Sequence, residues 1–288
     1  MKNYIALLRI PQWTKNFFIF LPLFFAMRLQ ESERLFKVSL AFIGFCLLAS
    51  AVYIFNDLFD LAGDSKHPKK KHRPLPAGRV TRGSAIGLMA CFLALGLSLA
   101  YVLSLQMFYL CLFYLALNIA YSVKLKHVPI LDIMIIAVGF VIRIFVGGVV
   151  GNVPIYMWII IMTFLLALFM ALGKRRDDML IFMETNQNPR KSVDGYSLRF
   201  IDASMMIMAA VVLVAYLMYT VSPEIIAKFK TDKLYITSLF VLMGVMRYLQ
   251  ITLVEKNSGC PTTIFIKDLF IQLSVAGWII SFALIGLY

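Results

Sequence analysis

Residues 36–64 read FKVSLAFIGFCLLASAVYIFNDLFDLAGD. From 36 to 56 the run carries a single charge, Lys37, and then turns acidic at Asn56-Asp57-Leu58-Phe59-Asp60-Leu61-Ala62-Gly63-Asp64. About 20 apolar residues in a helix cross the ~30 Å hydrocarbon core of a bilayer. Lipid admits only structures that satisfy their own backbone hydrogen bonds, which are helices and closed barrels. A barrel strand alternates apolar and polar residues over ~10 positions, and this stretch does not. It therefore predicts a transmembrane helix that delivers three carboxylates to the membrane surface.

The pattern repeats outward in both directions. Apolar spans fall near 16–29, 36–56, 83–104, 107–122, 130–150, 154–173, 203–221, 234–254 and 266–287. The chain is 61% hydrophobic and 15% charged, with a mean hydropathy of +0.84. A soluble domain lies nearer 45–50% apolar and about 25% charged, so a soluble globular class is excluded. The expected fold is an all-α integral membrane protein of nine transmembrane helices, a single domain over 1–288. Lys2 and Arg9 precede the first span, but Pro11-Gln12-Trp13-Thr14-Lys15-Asn16 interrupts the region and no small-residue cleavage site follows. A retained first helix is expected rather than a signal peptide.

The formal charge is +13, and its placement is uneven. Lys66, Lys69, Lys70, Lys71, Arg73, Arg79 and Arg82 lie in 57–82. Lys124 and Lys126 lie in 123–129, and Lys174, Arg175, Arg176, Arg190, Lys191 and Arg199 in 174–199. The alternate connections at 104–107 and 151–154 carry no charge. Cytoplasmic loops collect Lys and Arg, so the N-terminus and the rich loops are expected in the cytoplasm and the C-terminus outside. Because the positive charge follows the loop topology, it reads as a response to the bilayer and to anionic substrates, not to nucleic acid. Cys46, Cys91 and Cys111 sit inside apolar runs and Cys260 alone in a loop. That spacing offers neither a disulfide framework nor a zinc site.

Asp57, Asp60 and Asp64 stand at i, i+3 and i+7, one face of a continuous helix. Three carboxylates so placed repel one another unless a cation sits among them. Mg²⁺ takes a few carboxylates and keeps positions for substrate phosphates, so the motif points to a Mg²⁺–diphosphate site. The bland alternative is a solvated helix end. Of the basic segment that follows, Lys69, Lys70 and Lys71 read as a headgroup patch, while Lys66 and Arg73 lie nearer the acids and face substrate. Arg143 interrupts an otherwise apolar span. An intramembrane arginine faces a wet cavity or an acidic partner, leaving phosphate binding and a carboxylate pairing both open. Asp132, at the start of that span, can bind metal, bind a ribose hydroxyl or cap the helix. Trp13 with Phe17 and Phe18 reads as an interfacial aromatic belt.

Asn-Asp-x-x-Asp-x-x-x-Asp followed by Arg73-Pro74-Leu75-Pro76-Ala77-Gly78 resembles the UbiA superfamily of membrane prenyltransferases. The resemblance implies nine transmembrane helices around a central cavity, with active-site loops on the cytoplasmic side. Most of that superfamily carries a second aspartate motif near the end of the sixth span. Here the place reads Gly173-Lys174-Arg175-Arg176-Asp177-Asp178, which departs from ordinary prenyl transfer and is similar to the polyprenyl-phosphate phosphoribosyltransferase branch. Arg9-Ile10-Pro11-Gln12-Trp13-Thr14-Lys15-Asn16, Tyr121-Ser122-Val123-Lys124-Leu125-Lys126-His127-Val128-Pro129, Gly139-Phe140-Val141-Ile142-Arg143 and Arg247-Tyr248 with Gly259-Cys260-Pro261 and Asp268 extend the likeness over nearly the whole chain.

The branch implies transfer of 5-phosphoribosyl from phosphoribosyl pyrophosphate to a polyprenyl phosphate. Two anionic substrates call for extra cations, and arginine grips phosphate bidentately. The implied site has Asp57, Asp60, Lys174 and Arg175 in catalysis and Mg²⁺ on Asp57, Asp60 and Asp64. Lys15, Asn56, Lys66, Arg73, Tyr121, Ser122, Lys124, Lys126, Arg143 and Arg176 bind substrate. No catalytic histidine is expected, since a lipid phosphate is already an anion. The other readings are a prenyltransferase using an allylic diphosphate and an aromatic acceptor, and a non-catalytic carrier of phosphorylated lipids. The expected surroundings are a cell (inner) membrane and its lipid bilayer; the sequence leaves the oligomeric state open.

Overall fold

The computed structural model describes residues 2–65, 70–185, 191–255 and 261–287. Among them, eight helices are long and apolar enough to cross a bilayer. They are α1 (Ser32–Phe59), α2 (Arg82–Leu103), α3 (Leu105–Val123), α4 (Leu131–Gly151), α5 (Met157–Thr185), α6 (Leu198–Thr220), α7 (Lys233–Val254) and α8 (Leu269–Leu287). The chain is a multi-pass membrane protein. Its internal contacts gather into two compact units, Met1–Ile155 and Tyr156–Tyr288.

The first expected span, 16–29, is not one α-helix. A short helix, Lys2–Leu8, stops at Arg9, whose φ of 52° is left-handed. A 3₁₀ helix runs Ile10–Phe20, an α-helical turn runs Leu21–Phe25, and Met27 again turns left-handed at φ 57°. This compound run lies antiparallel beside α1. Arg9 meets Asp57, Trp13 donates Nε1 to Ser50 Oγ at 2.9 Å, Asn16 donates Nδ2 to Cys46 Sγ at 3.0 Å, and Phe20 stacks on Phe42 with centroids 5.6 Å apart. Eleven steps of the run (9 to 20) thus span fifteen steps of α1 (57 to 42). That ratio is the one between a 3₁₀ rise of about 2.0 Å and an α rise of about 1.5 Å. The tighter helix lets a short apolar sequence cover the depth of a much longer α-helical stretch. Trp13, expected as a belt residue, is tied into this pairing by its indole N–H.

The rest of the first unit packs around the same axis. Ile19, Leu23, Val38, Phe45, Leu48, Met107, Tyr114, Ile142 and Val146 form its buried core. The compound run meets α4 backbone to side: a Cβ placed on Gly147 would lie 1.9 Å from the carbonyl oxygen of Ile19. A second cluster, Leu7, Ile54, Leu75, Val80 and Ala85, pins the connection between α1 and α2 against the end of α1 that bears the acids.

In the second unit α5 pairs with α6 and α7 with α8. Hydropathy ends the fifth of these helices near 173, yet α5 continues to Thr185. The charged segment Lys174–Asp178 is therefore helical, not loop, because Lys and Arg are good helix formers and its charges find partners on α5 itself and on α6. The α8 face is fixed by Trp278, whose Nε1 donates to Tyr216 Oη at 2.6 Å.

Candidate active site

The acidic motif does not lie on one continuous helix. Asp60 ends α1 with φ −91° and ψ 6°, its N–H still bonded to the Asn56 carbonyl at 2.9 Å, and a separate turn, Leu61–Asp64, follows. The kink brings Asp57 and Asp64 together and turns Asp60 elsewhere. This corrects the shared face expected from the spacing. Among the described residues no three His, Cys, Asp or Glu side chains converge tightly enough to hold a metal ion. Two carboxylates do converge. Arg73 Nη1 lies 3.1 Å from Asp57 Oδ1 and 2.8 Å from Asp64 Oδ2, so one positive nitrogen sits between two nearly buried carboxylates. That is the donor set Mg²⁺ uses, a pair of carboxylates with the remaining positions left to substrate oxygens. The residues present fit the ion.

Arg73 is delivered by a folded loop, in which Leu75 and Val80 are buried and Arg79 N–H bonds the Pro74 carbonyl at 2.9 Å. Burial holds the Arg73 guanidinium below the ordinary arginine value, and the charge of Arg9 lowers it further; Asp57 and Asp64 pull the other way. Arg9 donates Nη2 to Asp57 Oδ1, the same oxygen that Arg73 contacts. Asp60 accepts from Lys126 Nζ, which also lies 5.2 Å from the centre of the Phe59 ring. Ser122 donates to Asn56 Oδ1. Asn56, Asp57, Asp60, Asp64, Arg73, Ser122 and Lys126 therefore form one neighbourhood.

The other expected residues are placed differently. Lys66 lies outside the described residues. Lys124 is exposed, and Tyr121 is half-buried beside Ser122. Arg143 is buried in a box of its own. Nε donates to Asn16 Oδ1 at 2.7 Å and Nη1 to the Gly139 carbonyl at 2.5 Å, and the guanidinium carbon lies 4.8–5.4 Å from the ring centres of Phe45, Tyr114 and Phe140. The groups around it are an amide, a carbonyl, the Tyr114 hydroxyl and π faces, and among the described residues no carboxylate pairs with it. Lys15 is half-buried and within electrostatic reach of Tyr114. Asp132 is fully buried in the first turn of α4.

In the second unit Lys174 is exposed, and Arg175 is buried with Nη1 donating to Asp178 at 2.7 Å. Arg176 donates Nε to Asp202 Oδ1 and Nη1 to the Thr252 carbonyl, both at 2.7 Å, tying α5 to α6 and α7. Sequence reasoning passed over Arg9 and Asp202. Arg9 opens the quoted Arg9–Asn16 stretch, but its meeting with Asp57 depends on the left-handed break and the antiparallel run, which no residue pattern announces.

An acid pair bound by one cationic nitrogen at the end of a membrane-length helix marks a multi-pass membrane protein with a polar, charged site. The chain belongs to the UbiA prenyltransferase family, whose model matches residues 17–274. It is 28% identical over 282 residues to decaprenyl-phosphate phosphoribosyltransferase of Corynebacterium glutamicum, covering 96% of this chain and 84% of that one. It is 29% identical over 285 residues to the protein of the same name in Mycolicibacterium smegmatis, covering 96% and 89%. Among solved structures it is similar to a UbiA homolog from Archaeoglobus fulgidus bound to DMAPP and Mg²⁺, with a TM-score of 0.72 at 18% identity over 98% of this chain and 99% of that one.

Proposed function

We propose that this protein transfers 5-phosphoribosyl from phosphoribosyl pyrophosphate to a polyprenyl phosphate and releases diphosphate. The observation that carries the reading is the composition of the first unit's site: a carboxylate pair held by Arg9 and Arg73, with a third carboxylate, Asp60, held by Lys126. A site for a single diphosphate needs less positive charge. The names of the relatives in C. glutamicum and M. smegmatis support the lipid phosphate as acceptor.

Asp57 and Asp64 would hold Mg²⁺, with Asp60 joining them on turning from Lys126. When bound, the ion offsets negative charge on the departing diphosphate. The C1–O bond to diphosphate breaks as an oxygen of the lipid phosphate bonds to C1, through an oxocarbenium-like ribosyl centre. The acceptor oxygen is already anionic and needs no base. Arg73 and Lys126 orient phosphate oxygens, and Asn56 and Ser122 offer neutral polar contacts to the sugar. Lys174 and Arg175 are assigned to phosphate binding. Arg176 is assigned first to holding α5 in place, given its two protein partners. The chain is placed in the inner membrane with the acidic site on the cytoplasmic face.

The test is a membrane assay with ribose-labelled phosphoribosyl pyrophosphate, Mg²⁺ and polyprenyl phosphates of several lengths. Label moving into organic solvent, and lost with EDTA, is expected. Absence of transfer from folded protein across all lipids, with label appearing instead from an allylic diphosphate on an aromatic acceptor, overturns it in favour of prenyl transfer.

A further inference from the structure

Three acids of the motif face three cations. Asp57 takes Arg9 and Arg73, Asp64 takes Arg73, and Asp60 takes Lys126. The crowded point is Asp57 Oδ1, where two guanidiniums share one oxygen. A metal ion taking that oxygen would compete with both. Arg73 can stay on Asp64 Oδ2, since a carboxylate has a second oxygen with which to serve the metal. Arg9 keeps no carboxylate, because Asp57 is its one carboxylate partner among the described residues.

We propose that Arg9 is a substrate-phosphate ligand, parked on Asp57 until metal and diphosphate arrive together and then passed to a diphosphate oxygen. The inference rests on the reading that the acid pair takes Mg²⁺ with a diphosphate, and holds for either donor, phosphoribosyl or allylic.

Three further features fit this role. The guanidinium rests 5.0 Å from the centre of the Tyr53 ring, a face that keeps a released cation beside the site. Its planar fork matches two phosphate oxygens. Its backbone stands at the left-handed joint between Lys2–Leu8 and Ile10–Phe20, which aims the side chain at the end of α1 that bears the acids. Swapping one carboxylate for a more highly charged phosphate also relieves the repulsion between two arginines on one oxygen. Mg²⁺ alone, which brings no new anion, has to expel a cation onto a ring face that carries no full charge. The parked arginine thus makes metal binding depend on diphosphate.

The experiment is calorimetry on the full chain in lipid nanodiscs, titrating MgCl₂ alone and then inorganic pyrophosphate at fixed Mg²⁺. For Arg9→Gln, pyrophosphate affinity is expected to fall by about tenfold, the size of one charge-assisted contact, while affinity for Mg²⁺ alone stays equal or tightens because a competitor is gone. Arg9→Lys keeps the charge without the fork and is expected to fall between. Arg9→Gln with an unchanged unfolding midpoint and pyrophosphate affinity within twofold of wild type overturns the proposal. So does a parallel loss of Mg²⁺ and pyrophosphate binding, which marks Arg9 as a support of Asp57 only. If Arg9→Gln does not fold, wild-type affinity in Arg9→Lys is the overturning result. Wild-type protein that binds no pyrophosphate with Mg²⁺ defeats the underlying reading of the acid pair, separately from the role of Arg9.

Discussion

Asp60 belongs to the site more than to the core. Its side chain is 38% exposed, but its partner Lys126 is only 8% exposed, so an uncharged residue at 60 leaves a nearly buried ammonium with a weaker, neutral acceptor. Asp60→Asn is therefore expected to lower the unfolding free energy by about 1–3 kcal/mol while transfer falls by about a hundredfold. Full Mg²⁺-dependent turnover in the variant, scored by the solvent-extraction assay, would remove Asp60 from the site. Arg143 is the reverse case. Its neighbours are Asn16, Gly139 and three aromatic faces, so Arg143→Ala empties a buried box and orphans polar groups, at a cost of about 2–4 kcal/mol. A double-mutant cycle with Asn16→Ala in denaturant titrations should give a coupling of about 1 kcal/mol or more; strict additivity would show that the contact carries nothing. The acids were legible because carboxylates at a membrane mouth are costly and rarely incidental. Their partners were not, since a cation's address depends on the backbone path. Arg143 stood out for the same cost, yet its sequence could not reveal that rings and an amide surround it.

At the scale of elements, hydropathy located all eight long helices because apolar length is what lipid demands. It failed where the backbone changes pitch or outruns the bilayer. The compound run Ile10–Phe25 is apolar like any span, but Pro11 and Pro22 bear no N–H and the left-handed Arg9 and Met27 fence it, so a single α-helix was never available. The extension of α5 to Thr185 was invisible for the opposite reason, a helix held by charge pairs outside the apolar stretch. Two glycines test these contacts. Gly147→Ala would set a Cβ 1.9 Å from the rigid carbonyl of Ile19 and is expected to abolish folded protein in size-exclusion chromatography. Gly173→Ala would meet the Tyr248 hydroxyl at 2.5 Å, the far end of a side chain that can swing, and is expected to fold with a lowered midpoint. Equal tolerance of both would mean that the compound run is not seated against α4. The α7–α8 connection is tied electrostatically: the Arg247 hydrogen bond holds the Asp268 carboxyl below its ordinary value of 3.8. A carboxylate depressed by folding contributes stability above its unfolded value, and that contribution fades as pH falls through the lowered one. The stability gap between wild type and Asp268→Asn should therefore be constant near neutrality and close below about pH 4. A gap that widens on acidification would contradict the pairing.

For the molecule as a whole, the balance of charge at the acidic site decides how folding depends on metal. A structural metal site comes apart when its ion is removed, because the ligands are left repelling one another. Here Asp57, Asp60 and Asp64 already face Arg9, Arg73 and Lys126, so the apo protein has no uncompensated carboxylate in that set for a metal to rescue. Chelation with EDTA is therefore expected to abolish transfer while leaving the unfolding midpoint in place. Adding Mg²⁺ alone should raise that midpoint by no more than about 1 °C, because weak binding near the ion's own dissociation constant contributes only about 0.4 kcal/mol. Mg²⁺ with pyrophosphate should raise it by several degrees, since the anion gives the displaced cations a partner and the ternary complex binds the native state far more tightly. Differential scanning fluorimetry in nanodiscs reads all three conditions on one preparation. A drop of several degrees on chelation would mean that a resident ion holds the helix ends together and that the cations sit where they do only by default. A midpoint that ignores chelation and responds to metal and diphosphate jointly would establish that the fold is complete without its metal and that the site is assembled for catalysis only when substrate brings it in.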